Sequence, residues 1–328
     1  MSRLWCAAAL VLAAASAAAQ QPGIKLTEVA RKGTPEQVQA ALSAGARPSE
    51  RNLLHHTALI VAAENNLDPE VVKVLIAGGA SIHEDNGSGY TPMIAAAGRN
   101  RNPEVLRALI AAGGRVDAAG AEGYTPLMAA AGEKNLAAVI ALIAAGADVN
   151  AKTSSGWTAL TYAAWSPPLT TRAMSDASAE VVRTLLKAGA KINDSPAAGP
   201  TTLAMAAARN ANPETIKLII AAGARVEGPG DGQGAPPLID AARANGNVAV
   251  LKALLDGGAR INARDSEGMT ALMWAARMNT PRAVAFLLDA GADPDIKDGR
   301  GATALDMGRL NSLLRGKPEL ERLRGVRK

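Results

Sequence analysis

Few residues of this chain have types and spacings suited to covalent chemistry. His55 and His56 are adjacent and His83 is the third and last histidine. Without a cysteine or a placed carboxylate beside them they make a poor zinc set, and they read as solvated loop residues. Asp293, Asp295 and Asp298-Gly299 approach an acidic calcium loop, but the spacing is wrong and no terminal bidentate Glu follows. The run from Gly228 to Gly234 has the glycine density of a phosphate cradle. No strand precedes it and no Lys-Ser/Thr follows, so it reads as a flexible loop. Asp240 interrupts an apolar run and is expected to line a groove, yet one carboxylate is no acid–base pair. No Gly-x-Ser-x-Gly elbow and no HExxH pair occurs. The chain therefore reads as non-enzymatic, with no metal and no cofactor.

The remaining chemistry is recognition. Tyr90, Tyr124 and Trp157 stand 34 and 33 residues apart, a large share of a chain with eight aromatic residues. Such side chains at recurring positions are natural interface anchors. A second periodic set comprises Glu64, Arg99, Glu133, Trp165, Arg209, Arg243 and Arg277. Its acids fall in the first half and its arginines gather in the second, a gradient suited to orienting a partner with an acidic segment. Trp274 falls inside an apolar run and reads as core.

The elements that position these residues repeat on the same beat. TALIVAA starts at Thr57, TPMIAAA at Thr91, TPLMAAA at Thr125, TALTYAA at Thr158, TTLAMAA at Thr201, PPLIDAA at Pro236 and TALMWAA at Thr270, with a degenerate TALDMGR at Thr303. A fixed period near 34 residues means stacked supersecondary units in a solenoid. Within Gly89–Gly123, Thr91-Pro92 opens one helix and Asn102-Pro103-Glu104 caps and opens a second. Val105, Leu106, Leu109 and Ile110 keep helical spacing, and Gly113-Gly114 ends the helix. Thr34-Pro35-Glu36, Asp68-Pro69-Glu70, Asn212-Pro213-Glu214 and Thr280-Pro281 repeat that opening. The segment leading to the next Thr lacks helical periodicity and predicts an extended finger.

The TPLM-type openings, the second helices Glu70–Ala80 and Glu180–Ala190, and fingers such as Ala147–Thr158 closely resemble the ankyrin repeat family. The resemblance covers about Ile24 to Gly325. It implies an all-α solenoid of helix-turn-helix units with short β-hairpin fingers. It also implies a non-enzymatic protein–protein interaction scaffold whose concave face, formed by fingers and first helices, meets the partner. The residues at the matching contact positions are Tyr90, Tyr124, Trp157, Trp165, Arg209, Arg243 and Arg277. One departure is consistent: the family's His after TPL is replaced by residues such as Ile60, Ile94, Met128 and Met273. The organisation read from this is an N-terminal capping repeat over 20–53, seven repeats over 54–302, and a C-terminal capping repeat with a basic tail over 303–328. The 43-residue interval between Thr158 and Thr201 holds an insertion at 165–177, whose prolines predict a loop between two helices. Such a loop offers either a binding feature or a neutral surface excursion.

Residues 1–19 have another texture: Arg3, an apolar run, then Ala17 and Ala19 ahead of Gln20. This is the form of a secretory signal peptide. The expected mature chain lacks the single cysteine, Cys6, has no membrane span, and is monomeric in the periplasm or beyond the cell. A net charge of +5, interspersed with acids, does not suggest nucleic acid. The alternatives to a general scaffold are a secreted effector, an immunity or chaperone protein for a co-exported enzyme, and a small-ligand binder or enzyme using the insertion.

Overall fold

The computed structural model describes residues 25–165, 172–193, 201–209, 212–227 and 235–324. The expected leader, the Gly228–Gly234 loop and the end of the basic tail lie outside them. The chain divides after Thr153 into two compact units.

The first unit holds α1 (Leu26–Lys32), α2 (Pro35–Ser43), α3 (Ala58–Asn65), α4 (Pro69–Ala77), α5 (Pro92–Arg99), α6 (Pro103–Ala111), α7 (Pro126–Gly132) and α8 (Leu136–Ala144). The second holds α9 (Ala159–Ala164), α10 (Arg172–Lys187), α11 (Thr202–Arg209), α12 (Pro213–Ala221), α13 (Pro237–Ala244), α14 (Val248–Asp256), α15 (Ala271–Met278), α16 (Pro281–Asp289), α17 (Ala304–Leu310) and α18 (Pro318–Arg322). Odd-numbered helices are the first of each pair, here called inner, and even-numbered ones the second. Within each unit inner helices pack on inner helices of the next pair, and second helices on second helices. Small side chains permit this: Ala95, Ala96, Ala97, Ala129, Ala130 and Ala131 are all buried between α5 and α7 and their neighbours.

Local chemistry sets each boundary. Thr57, Thr91, Thr125, Thr158, Thr201, Thr270 and Thr303 each accept a backbone N–H of the first helical turn on the side-chain hydroxyl. Asp68, Asn102 and Asn212 cap second helices whose first residue is Pro. The recurring Gly after the second helices α2 to α16 has a φ near +90°, as at Gly79 (φ 93) and Gly113 (φ 90). Glycine adopts this left-handed turn at no steric cost, and Ala80 N–H then reaches back to Leu75 O at 2.9 Å.

The fingers are tight turns rather than paired strands among the described residues. Backbone bonds such as Asn86 N–H to Tyr90 O, Gly120 N–H to Tyr124 O and Asp265 N–H to Met269 O close them, and among the described residues only Arg51–Thr57 and Arg264–Thr270 form isolated β-bridges. Neighbouring fingers interlock. Arg51 donates to Asp85 O at 2.6 Å and pairs with Glu84, and Gly299 N–H donates to Glu267 O at 2.8 Å.

Asparagine side chains, buried except for half-buried Asn135, tie one pair to the next. In the first unit Asn66 Nδ2 donates to Ala30 O and Gly33 O, Asn100 Nδ2 to Ala63 O and Asn66 O, and Asn135 Nδ2 to Ala97 O and Asn100 O. In the second unit Asn279 Nδ2 bonds Ala242 O and Asn245 O, and Asn311 Nδ2 bonds Ala276 O and Asn279 O. Each amide satisfies carbonyls that a helix end leaves open.

The insertion departs from the expected loop in its second half. Residues 172–177 are helical and lengthen α10 to 16 residues, against 9 for α4 or α6. The prolines Pro167 and Pro168 lie before this helix, outside the described residues, so they do not interrupt it.

Candidate partner-binding surface

In the first unit, Tyr90 sits immediately before the cap of α5, half-buried, with its ring stacked on His56 at 5.4 Å between centroids. Burial pushes the phenol pKa up to about 12, helped by the negative Glu64, so the hydroxyl remains a donor at all ordinary pH. Glu64, on α3, pairs with Arg99 on α5 at 2.7 Å, and His56 Nδ1 lies 3.8 Å from Glu64 Oε2. Burial holds the His56 pKa below its usual value although Glu64 pulls the other way. His56 is thus part of a packed aromatic and ionic cluster, not a solvated loop residue. Tyr124 is also half-buried.

In the second unit, Trp157 is half-buried and tilted against Tyr162 at 5.2 Å. The position before each cap therefore carries half-exposed aromatics at Tyr90, Tyr124 and Trp157, whereas Met269 at the same position is buried. Trp165 does not lie along a helix face. It is the C-cap of α9, where other inner helices end in Asn66 or Asn100. The arginines do not make one column either. Arg243 and Arg277 stand seven residues after Pro236 and Thr270, whereas Arg209 stands eight after Thr201. One residue on a helix is about 100° of rotation. Arg209 and Arg277 are exposed, and neither forms an ion pair among the described residues. Arg243 is half-buried and bonds Asp240 Oδ1 at 2.9 Å.

Asp240 and Trp274 also differ from their expected placement. Asp240 is fully buried and engaged by Arg243, so it does not line a groove. Trp274 is half-exposed on α15, not core. Its indole N–H donates to Asp265 Oδ2 at 2.7 Å, and the guanidiniums of Arg243 and Arg277 lie 5.5 and 5.6 Å from the ring centroid. These are cation–π distances. Among the described residues no three His, Cys, Asp or Glu side chains gather as a metal set, and no helix is long and apolar enough to cross a membrane.

Residues 26–119, 93–196, 169–265 and 203–298 match a family described as ankyrin repeats (3 copies). The chain belongs to the ankyrin repeat family. Its repeats resemble those of the human SH3 and multiple ankyrin repeat domains protein 2, 47% identical over 72 residues, and of the human and mouse protein 1, each 46% identical over 72 residues. Those segments are 22% of this chain but only 3–4% of the relatives. The crystal structure of the human ASB11 ankyrin repeat domain matches with a TM-score of 0.60 and 25% identity, over 72% of this chain and 98% of that one. Ankyrin repeats are protein-interaction modules and typically not enzymes, which fits a surface of half-exposed aromatic and cationic side chains.

Proposed function

We propose that this protein is an exported, non-enzymatic scaffold that captures a protein partner on the inner-helix side of its repeats, the concave side in ankyrin stacks. The observation that carries the reading is the placement of half-exposed aromatics and arginines at the finger bases and inner helices, Tyr90 and Tyr124 in one unit and Trp157, Arg243 and Arg277 in the other. Half-buried aromatics, and guanidiniums held over a ring as those of Arg243 and Arg277 are, have less rotamer freedom to lose on binding. The expected leader at 1–19 supports export to the periplasm or medium, with the working chain starting at Gln20.

The test is capture of a partner from periplasmic extract and culture medium by the chain from Gln20. A Tyr90/Tyr124/Trp157→Ala variant with unchanged helicity runs beside it. Retention by the parent and loss by the variant supports the inner-face reading. Equal capture by both removes the three aromatics from the interface.

A further inference from the structure

We propose that Arg277, held in place by Trp274, is the anchoring cation for a carboxylate in an extended acidic segment of a protein partner, and that Met278 and Leu310 seat an apolar side chain of the same segment. This rests on the inner-face reading for the second unit and names the partner's chemistry.

The charges around Trp274 are unequal. Two guanidiniums share one ring, at 5.5 and 5.6 Å. Arg243 is neutralised by the buried Asp240 at 2.9 Å. Among the described residues Arg277 makes no contact with a carboxylate, and its ring contact is with Trp274. Asp265 fixes the indole through the 2.7 Å bond, and the finger holds Asp265 in turn, because its Oδ1 accepts Glu267 N–H and Met269 N–H. The ring is thus fixed from the finger side, and the guanidinium over it, 5.6 Å from the ring centroid, keeps its N–H groups for a ligand. A guanidinium pre-ordered in this way loses little entropy when it takes a carboxylate. Arg209, on α11, offers a second exposed cation without a carboxylate partner among the described residues.

The aliphatic neighbours decide between partner classes. Met278 and Leu310 are 59% and 78% exposed, and both end inner helices. The bonds from Asn311 Nδ2 to Ala276 O and Asn279 O set those two helix ends side by side. Leu313, 54% exposed, follows just beyond. Every exposed large aliphatic of the second unit's described residues lies in this group. A sugar-phosphate backbone gains nothing from covering Met and Leu, and Asp265 beside the ring repels it. A peptide carrying a carboxylate and an apolar side chain satisfies both halves. Neighbouring helix axes lie about 8–10 Å apart, the length of about three extended residues, so the acid and the apolar residue are expected about three positions apart.

The test uses the chain from Gln20 as bait for a displayed library of random peptides, with the Arg277→Gln protein selected in parallel. Enrichment of Asp or Glu about three positions from Leu, Ile or Phe is expected for the parent and lost for Arg277→Gln. A selected peptide, labelled for anisotropy, is expected to bind Arg277→Gln or Trp274→Leu at least about tenfold more weakly. Trp274→Phe, which keeps a ring under the guanidinium, retains most of the affinity. Met278→Ser/Leu310→Ser weakens the peptide, but not its variant with the apolar residue replaced by Ser. Selection without acidic enrichment overturns the proposal, as does equal binding to Arg277→Gln. So does equal competition by heparin or a DNA oligonucleotide, which marks a general polyanion surface. Selected peptides that are lost in Tyr90/Tyr124→Ala but kept in Arg277→Gln leave the inner-face reading standing and remove this clamp.

Discussion

Lys134 combines two costs at one position. Its φ of 59° is left-handed, where a side chain is disfavoured, and it is 7% exposed. The cause is a short turn: Glu133 ends α7, Lys134 turns, and Asn135 caps α8 while also donating to Ala97 O and Asn100 O. α5 is one residue longer than α7, 8 against 7, and in the turn after it Arg101 separates Asn100 from Asn102 and takes no positive φ. Burial lowers the Lys134 pKa from 10.5 to about 8. Between those values the unfolded chain binds more protons than the folded one, so stability rises with pH across this window and the penalty is fully present below about 8. The difference in unfolding free energy between the parent and Lys134→Gly is expected to shift in the parent's favour by about 1–3 kcal/mol from pH 7 to pH 10.5. Urea melts at the two pH values measure it, and a constant difference contradicts the buried-ammonium account.

At the scale of elements, asparagine side chains tie neighbouring pairs together through paired hydrogen bonds. Asn100 donates to Ala63 O and Asn66 O at 2.9 and 2.8 Å, and its Oδ1 accepts Asn102 N–H. Asn100→Ala leaves two buried carbonyls and one N–H to find other partners, so a loss of about 2–4 kcal/mol is expected in a denaturant melt. Asn102→Ala, at an exposed cap, is expected to cost about 1 kcal/mol. Helix starts and stops were legible in the sequence because caps, prolines and glycines act within one turn: Thr91, Asn102 and Gly113 each do what their types imply. The asparagine ties were not, because their partners lie 32 to 38 residues away and nothing local marks them. A regular Asn at 66, 100, 245 and 279 was the available signal. Trp274 was misplaced for a related reason. Ala271, Leu272, Met273, Ala275 and Ala276 around it are all buried, so hydrophobic periodicity does not single out the half-exposed position.

At the scale of the whole molecule, stability in a repeat protein is approximately a sum of repeat and nearest-neighbour terms, so weak repeats open locally without unfolding the rest. The pair formed by α9 and α10 differs from the others in several ways at once. α9 has 6 residues against 8 in α3, α5 and α15, and ends at Trp165 rather than at Asn. Its second helix is tied back by Ser178, whose hydroxyl donates to Ala163 O of the same pair at 2.7 Å, where Asn100 reaches the preceding pair instead. Side-chain bonds from this pair to the following one, such as Thr161 Oγ1 with Thr202 Oγ1 and Asn212 Nδ2 to Asp176 Oδ1, are each 3.2 Å long and the second is exposed, against the buried 2.9 Å bond of Asn100 Nδ2 to Ala63 O. Amide hydrogens of α9 and of the first turns of α10 are therefore expected to exchange about 10–100 times faster than those of α5 and α6, a gap of about 1–3 kcal/mol in local opening. Hydrogen exchange followed by mass spectrometry on the chain from Gln20 resolves this by peptide. Equal protection of the two pairs means that the insertion stabilises its own repeat as fully as the asparagine ties stabilise theirs. The predicted difference makes the α9–α10 pair open before the α5–α6 pair.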